Sequence, residues 1–285
     1  MSRLGLAVHR FRPDALEVAG RVISWAATNG YEVVVDESDI ASLRSTAVLG
    51  GDVGDVDVLV SIGGDGTMLR SVHVLNGRVV PLIGVNLGQL GYLAVVEDDE
   101  VIEALDVWHN GTEGTEYHYD DRMLLEVSMW ANGERLSNHL AMNEVVIEKS
   151  EAGHTVRLGV DIDKAMFTTY AADGLILATP IGSTAYSMSA RGPILSPRLR
   201  AILMTPVSPH MLFDRSMVLD PQELVRIEIL GHRSVNVATD GELVHTLRPG
   251  DVVEVRAAQE VARFVRFKEQ RFHQTLKSKF GLSDR

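Results

Sequence analysis

The chain has 285 residues, 45% of them apolar and 23% charged, with a formal charge of −12 and no cysteine. This is the composition of a packed protein, not a disordered one, and the missing cysteines exclude disulfides, iron–sulfur clusters, thiolate zinc sites and cysteine nucleophiles. The acidic balance argues against nonspecific nucleic-acid binding through a basic surface, so any phosphate must be held locally by helix N-termini, backbone amides or metal ions. No apolar run approaches the ~20 residues that span a bilayer. The start, MSRLGLAVHR, has no signal-peptide core. Membrane association is therefore not expected, and the cytoplasm is the expected compartment.

The first third alternates strands and helices. Leu4–His9 is a short apolar run, and Pro13 can open a helix whose apolar residues Leu16, Ala19, Val22, Ile23 and Ala26 recur at helical spacing. Asn29-Gly30 ends it, and Tyr31–Val35 reads as a strand. Val56–Ile62 and Val79–Val85 are near-continuous apolar strands, the pattern of a sheet covered on both faces. Met68, Leu69, Val72 and Leu75 mark a helix between them, and Asp98–Trp108 marks another. This β-α-β-α order predicts a parallel sheet with right-handed crossovers.

After about Gly114 the period changes to two. Leu125, Val127 and Met129 alternate with polar or aromatic neighbours, as do Val156, Leu158, Val160 and Ile162. Further runs at Val145–Glu148, Leu175–Thr179, Val225–Leu230 and Val252–Arg256, with Gly and Asp-Lys punctuation, predict an antiparallel β domain. Lys268–Phe280 places Phe272, Leu276 and Phe280 four apart and predicts a short amphipathic helix.

Three segments carry chemistry. In Ser61-Ile62-Gly63-Gly64-Asp65-Gly66-Thr67, a buried strand ends in glycines around one aspartate and a helix follows at once. Glycines let the backbone approach a ligand, the helix start offers free N–H groups to a phosphate, and the carboxyl edge of a parallel sheet is where α/β proteins bind ligands. Taken locally, Asp65 could equally cap its own helix. A second turn, Gly84 to Tyr92, can wall the same crevice. The third segment, Ala172 to Pro193, is dense in small and hydroxyl residues around a single aromatic, Tyr186, which offers a ring to a base. Asn143-Glu144 reads locally as a solvated strand end and Asp240-Gly241 as a hairpin turn. There is no Walker-type phosphate loop, no G-x-G-x-x-G and no H-E-x-x-H.

Together these segments resemble the NAD kinase family. The residues carrying the resemblance are GGDGT at Gly63–Thr67, NLGQLGYL at Asn86–Leu93, NEVVI at Asn143–Ile147, the block from Asp173 to Ile194, TPVSPHML at Thr205–Leu212 and the late Asp240-Gly241. The resemblance implies transfer of the γ-phosphoryl of ATP, or of polyphosphate, to the 2′-hydroxyl of the adenosine ribose of NAD, giving NADP, with a divalent cation (magnesium or manganese). It implies a Rossmann-like α/β domain over residues 1–114 and an antiparallel β-sandwich domain over 115–267. A tail helix in 268–285 would pack back on the first domain, in a homodimer or homotetramer. Asp65 matches the general base; Gly64, Gly66 and Arg70 match the phosphate turn and helix start. Asn143 and Glu144 match the pair that holds the adenosine part of NAD. Asp173, Thr184, Ala185, Tyr186, Ser187, Met188 and Ser189 match the substrate loop, with Tyr186 against the adenine, and His154 and Ala171 match neighbouring NAD contacts. Ile181 stands where the pattern has a hydroxyl residue, Arg191 where it has glycine, and Ala171 where some members carry arginine. The alternatives are a lipid or other small-alcohol kinase sharing the GGDG motif, which would need an apolar cleft, and a nucleotide-sensing protein without turnover.

Overall fold

The computed structural model describes residues 2–36, 40, 43, 48–88, 91–268 and 272–282. The chain forms two compact units, Met1–Arg122 with Ala262–Arg285, and Met123–Val261. Two long strands, His118–Ala131 and Val252–Arg266, carry the chain from one unit to the other. The divisions therefore fall inside strands, at 122/123 and 261/262, rather than at the 114/115 and 267/268 breaks of the sequence pattern.

The first unit is a parallel sheet. Its strands lie in the order Val48–Gly50, Tyr31–Val35, Ser2–Val8, Val58–Ile62, Leu82–Asn86, and the end of Val252–Arg266 pairs Phe264 with Leu82. The central strands are apolar along their length because both faces are covered: all five residues of Val58–Ile62 and of Leu82–Asn86 are buried. The helix Pro13–Thr28 begins with its proline in the first turn and buries Ala15, Val18, Ala19, Val22, Trp25 and Ala26. Gly30, at φ 76°, turns the chain back into the sheet. The helices Asp65–Leu75 and Val101–Asn110 complete the α/β pattern. Chain order puts strands two and three on one side of the first strand and four and five on the other. A topological switch point results between Ser2–Val8 and Val58–Ile62.

The second unit is an antiparallel sandwich. One sheet has six strands, in the order Met217–Leu219, Ile202–Val207, Gly174–Ala178, Glu144–Lys149, Val235–Thr239, Glu242–Leu247. The other pairs Ala165–Ala172 with Val156–Ile162, that strand with Val225–Leu230, and that in turn with Val252–Val255. The hairpin of His118–Ala131 with Glu134–Ala141 belongs to the same sheet. Inward residues of both sheets share one core, among them Leu125, Leu158, Tyr170, Ile227 and Val253 with Ile147, Leu175, Leu177, Met204 and Val237. The alternation is plain in Val225–Leu230, where Val225, Ile227 and Ile229 are buried and the residues between them are not. The turns have the backbone such hairpins need. Asn132-Gly133, Asp163-Lys164 and Asp240-Gly241 all hold positive φ at both residues.

The tail helix spans Phe272–Lys279, and residues 269–271 of the expected Lys268–Phe280 helix lie outside the described ones. It docks on the first unit through Phe272, whose ring centroid lies 6.1 Å from that of Tyr92. Its apolar seam is incomplete: Phe280 is exposed, and Thr275 is the residue the helix buries. No helix among the described residues is long and apolar enough to cross a membrane.

Tyr170 stands out in the sandwich core. It is fully buried, its hydroxyl has no hydrogen-bond partner among the described residues, and burial pushes the phenol up to about 12. An unpaired buried hydroxyl costs about 1–3 kcal/mol. Tyr170→Phe is therefore expected to raise stability by up to about that much, read from chemical denaturation. A loss of stability would show that the hydroxyl has a partner in solution.

Candidate functional site

In the first unit the site is built at the end of a buried strand. After Ile62 the chain turns at Gly63, whose N–H donates to the Val85 carbonyl at 3.0 Å. A Cβ on Gly63 would lie 2.2 Å from Thr67 Oγ1, so only glycine fits. Gly64 is the helix N-cap and offers no side chain. Asp65, the first helical residue, does not cap its own helix. Its carboxylate instead accepts the backbone N–H of Tyr92 at Oδ2 and of Leu93 at Oδ1, each at 3.0 Å. The second glycine loop is thus tied to the first through this one side chain. Gly91 is part of the same contact, because a Cβ there would stand 2.3 Å from Asp65 Oδ1. Gln89 and Leu90 of that loop lie outside the described residues.

A cleft of about 460 Å³ opens beside this turn, lined by His9, Arg10, Phe11, Arg12, Gly64, Gly66, Thr67, Arg70, Asn86 and Leu87. It sits at the carboxyl ends of Ser2–Val8 and Val58–Ile62, the switch point where open α/β sheets bind ligands. Arg70 is fixed toward it by donating Nη2 to the Val8 carbonyl at 2.7 Å. The helix start supplies unpaired N–H groups and the positive end of a dipole. Guanidinium groups, a histidine and a helix N-terminus together suit phosphate. The segment His9–Arg12 carried no sequence signal beyond its place after the first strand.

A second cluster forms in the other unit. Three consecutive backbone N–H groups, of Met142, Asn143 and Glu144, donate to the Asp240 carboxylate at 2.7, 2.7 and 3.0 Å. The Asn143 carbonyl accepts the Thr179 N–H at 2.8 Å, and a Cβ on Gly182 would lie 2.0 Å from that carbonyl. Asn143-Glu144 is therefore clamped between the Asp240 hairpin and the start of the long loop. Glu144 is buried, with Oε2 lacking a partner among the described residues. Burial holds its carboxyl at about 7, far above the ordinary carboxylate range. The charge of Asp240 pushes the same way, and the N–H of Tyr186 bonded to Glu144 pulls back.

Of the residues singled out from the sequence, Tyr186 opens the short helix Tyr186–Ser189 and is 39% exposed. Asp173 lies beside it in the chain's return and pairs with Lys149 Nζ at 2.7 Å. The loop hydroxyls have partners within the protein: Ser183 donates to the Pro180 carbonyl, Thr184 to the Ile181 carbonyl, and Ser187 bonds Thr205 on the strand Ile202–Val207. Ala185, Met188 and Ser189 are partly or fully accessible. Ala171, near the end of its strand, accepts the His210 N–H at 2.7 Å. His154 stands exposed before Val156–Ile162 with no hydrogen bond to the others among the described residues. Asp240, part of the family resemblance, has no site role in the sequence reading. Its Asp-Gly turn explains the motif locally, and only the fold brings residues 142–144 onto it.

A parallel α/β unit with a glycine-aspartate turn at its switch point, joined to an antiparallel sandwich, is a two-domain architecture of the kind that binds nucleotides at the carboxyl edge of its parallel sheet. Residues 4–112 match the model of the ATP-NAD kinase N-terminal domain and residues 142–267 that of the ATP-NAD kinase C-terminal domain. The NAD kinase of Syntrophotalea carbinolica is 36% identical over all of both chains, and that of Heliobacterium modesticaldum 35% identical over 98% of each. Among solved structures, yeast NADH kinase complexed with NADH superposes with a TM-score of 0.90 at 26% identity, covering all of this chain and 89% of that one. An NAD kinase from Archaeoglobus fulgidus in complex with ATP shares the fold, with a TM-score of 0.73 at 22% identity over 97% of this chain and 98% of that one. The chain belongs to the NAD kinase family, a family of ATP-dependent phosphotransferases.

Two outcomes follow from this geometry. Ionised Glu144 is penalised in the folded protein, so the folded carboxyl binds its proton up to about 7 while the unfolded one releases it near ~4.3. The penalty is absent below the lower value and complete above the higher, so stability falls as pH rises through that window. Glu144→Gln cannot ionise; its melting temperature relative to the parent should be more favourable at pH 8 than at pH 5. An equal difference at both pH values would overturn this account. Arg191 sits at φ 66°, in the left-handed region at the end of the Tyr186 helix, where the family pattern has glycine. A side chain there costs roughly 1–2 kcal/mol, so Arg191→Gly is expected to stabilise by about 1 kcal/mol in denaturant unfolding.

Proposed function

We propose that the protein phosphorylates NAD on the 2′-hydroxyl of its adenosine ribose, with ATP as donor and polyphosphate as the alternative donor, giving NADP. The observation that carries this reading is Asp65, a carboxylate locked by two backbone N–H groups at the edge of a cationic cleft. A ribose hydroxyl is a poor nucleophile. Its oxygen attacks the γ-phosphorus, its proton passes to the Asp65 carboxylate, and the bond from that phosphorus to the bridging oxygen of ATP breaks as ADP leaves. Positioning and proton acceptance are most of what a protein can contribute to such a transfer. His9, Arg10, Arg12 and Arg70 would hold phosphate oxygens. Asn143 and Glu144 would hold the adenosine, Tyr186 its base, and Asp173 and Thr184 to Ser189 the rest of the substrate, with His154 and Ala171 nearby.

A divalent cation, magnesium or manganese, would enter with the nucleotide. Magnesium keeps several waters and takes one or two carboxylates besides the substrate phosphates, and Asp65 would serve it as a ligand in place of acting as the base. When bound, it offsets charge on the transferring phosphoryl group. Ala171 provides no charge to separate cationic oxidised nicotinamide from the neutral reduced ring, and the structurally similar yeast enzyme is an NADH kinase complexed with NADH. NADH is therefore a second acceptor. The working form is a cytoplasmic homodimer or homotetramer. Phe167 and Phe213, 5.7 Å apart with exposed Met166 and Leu212 beside them, form an apolar patch of the kind that meets another copy.

The test is formation of NADP from NAD, ATP and magnesium, and of NADPH from NADH. Asp65→Asn keeps the size and removes the basicity. Its kcat should fall by roughly 10²–10⁴-fold, with the Kd for NAD little changed because the Asn143–Glu144 clamp remains. Near-parental kcat in the folded Asn variant would remove Asp65 from the chemistry.

A further inference from the structure

The carboxy-terminal helix reaches the same aspartate. Lys279, in the last turn of Phe272–Lys279, places Nζ 3.8 Å from Asp65 Oδ2 and 4.4 Å from the centroid of the Tyr92 ring. Tyr92 is the residue whose backbone N–H donates to that same Oδ2. Phe272, one helix length earlier, packs against the same Tyr92 ring, 6.1 Å between centroids. The tail thus grips Tyr92 at both ends of the helix and delivers a cation to the carboxylate that Tyr92 holds.

We propose that Lys279 is a positioning residue for the phosphoryl transfer, acting through Asp65, so that the chain terminus is a working part of the phosphate turn. The proposal rests on the kinase reading above. Two features argue against a purely structural lysine. The contact to Asp65 is longer than a hydrogen bond, and both side chains are about a third exposed (33% and 31%), the setting in which an ion pair adds little to stability. The helix is held independently by Phe272 on Tyr92 and by buried Thr275. A cation at the end of a helix is favoured there in any protein; what that general preference does not supply is the aim at Asp65 and over the ring of its partner. Set there, the ammonium favours the carboxylate rotamer that faces the turn and keeps Tyr92 seated, while its protons remain available to a phosphate oxygen.

The test uses the full-length enzyme. Lys279→Met should lower kcat at least tenfold while the KM for NAD changes less than threefold, and Lys279→Arg should retain at least half of the parental kcat. In the Asp65→Asn background, Lys279→Met should cost no more than twofold further, because its target is already gone. Hydrogen exchange across residues 272–282 should quicken at least twofold in both Lys279→Met and Asp65→Asn. Parental kcat in Lys279→Met, failure of arginine to substitute, or a full tenfold loss in the double variant would each overturn the proposal. Absence of NADP formation by the parent protein would instead refute the kinase reading; the exchange measurement then decides alone, and unchanged exchange in both variants would overturn the link between Lys279 and Asp65.

Discussion

Three backbone N–H groups in a row, from residues 142, 143 and 144, end on one carboxylate, that of Asp240. Hydrogen bonds to a charged acceptor are among the stronger ones a protein makes, and leaving such a group unpaired is costly. This convergence bends the chain just before the strand Glu144–Lys149. It turns the Asn143 carbonyl toward Thr179 and sends the Glu144 side chain into the interior. The Asp240 hairpin can offer its carboxylate only because Asp240 and Gly241 adopt φ of 48° and 87°, which folds the two strands back within two residues. The buried Glu144 carboxyl, raised to about 7, follows from the same arrangement. It is desolvated and placed beside a negative charge that three N–H groups hold still.

The phosphate turn uses the same device. Asp65 also leaves its own helix start uncapped and holds a neighbouring loop, through Tyr92 and Leu93. In both cases the opposing glycine is explained by occupied space and not by a left-handed backbone. Gly91 yields to the Asp65 carboxylate, and Gly182 yields to the Asn143 carbonyl. Leu93 is held from its other side as well: its carbonyl accepts Nη1 of Arg266 at 2.8 Å, and Arg266 is itself buried against Asp120. The last strand of the chain therefore returns to brace the loop that fixes the aspartate.

These arrangements explain which parts of the protein were legible from residues alone. Period and punctuation were sufficient for the α/β half, because continuous apolar strands such as Val58–Ile62 and a Pro-started helix are local signals. They were sufficient for the alternating strands of the sandwich, such as Val225–Leu230. They failed for Ala165–Ala172, whose exposed first half shows no alternation, and for the long reach of Val252–Arg266, where Ala257, Gln259 and Glu260 interrupt the apolar period. At the site, the glycine-aspartate turn and the Tyr186 loop were visible as composition. The partners of Asp65 lie 27 and 28 residues away and those of Asp240 96 to 98 away, so no local pattern could announce them. The loop hydroxyls also have partners that composition does not show: Ser183, Thr184 and Ser187 each bond within the protein.

Charge sorts between the two units in a way the net −12 hides. The cleft of the first unit gathers His9, Arg10, Arg12 and Arg70 around a helix N-terminus. The candidate site of the second gathers Glu144, Asp240 and Asp173, with the phenol of Tyr186 raised by burial and then by the charges of Glu148 and Asp173. Phosphates are acceptors and anions, so they belong with the first set. Ribose hydroxyls and an adenine amino group are donors, which carboxylates accept. The second unit's candidate site is thus acidic and polar, where the first unit's cleft is cationic.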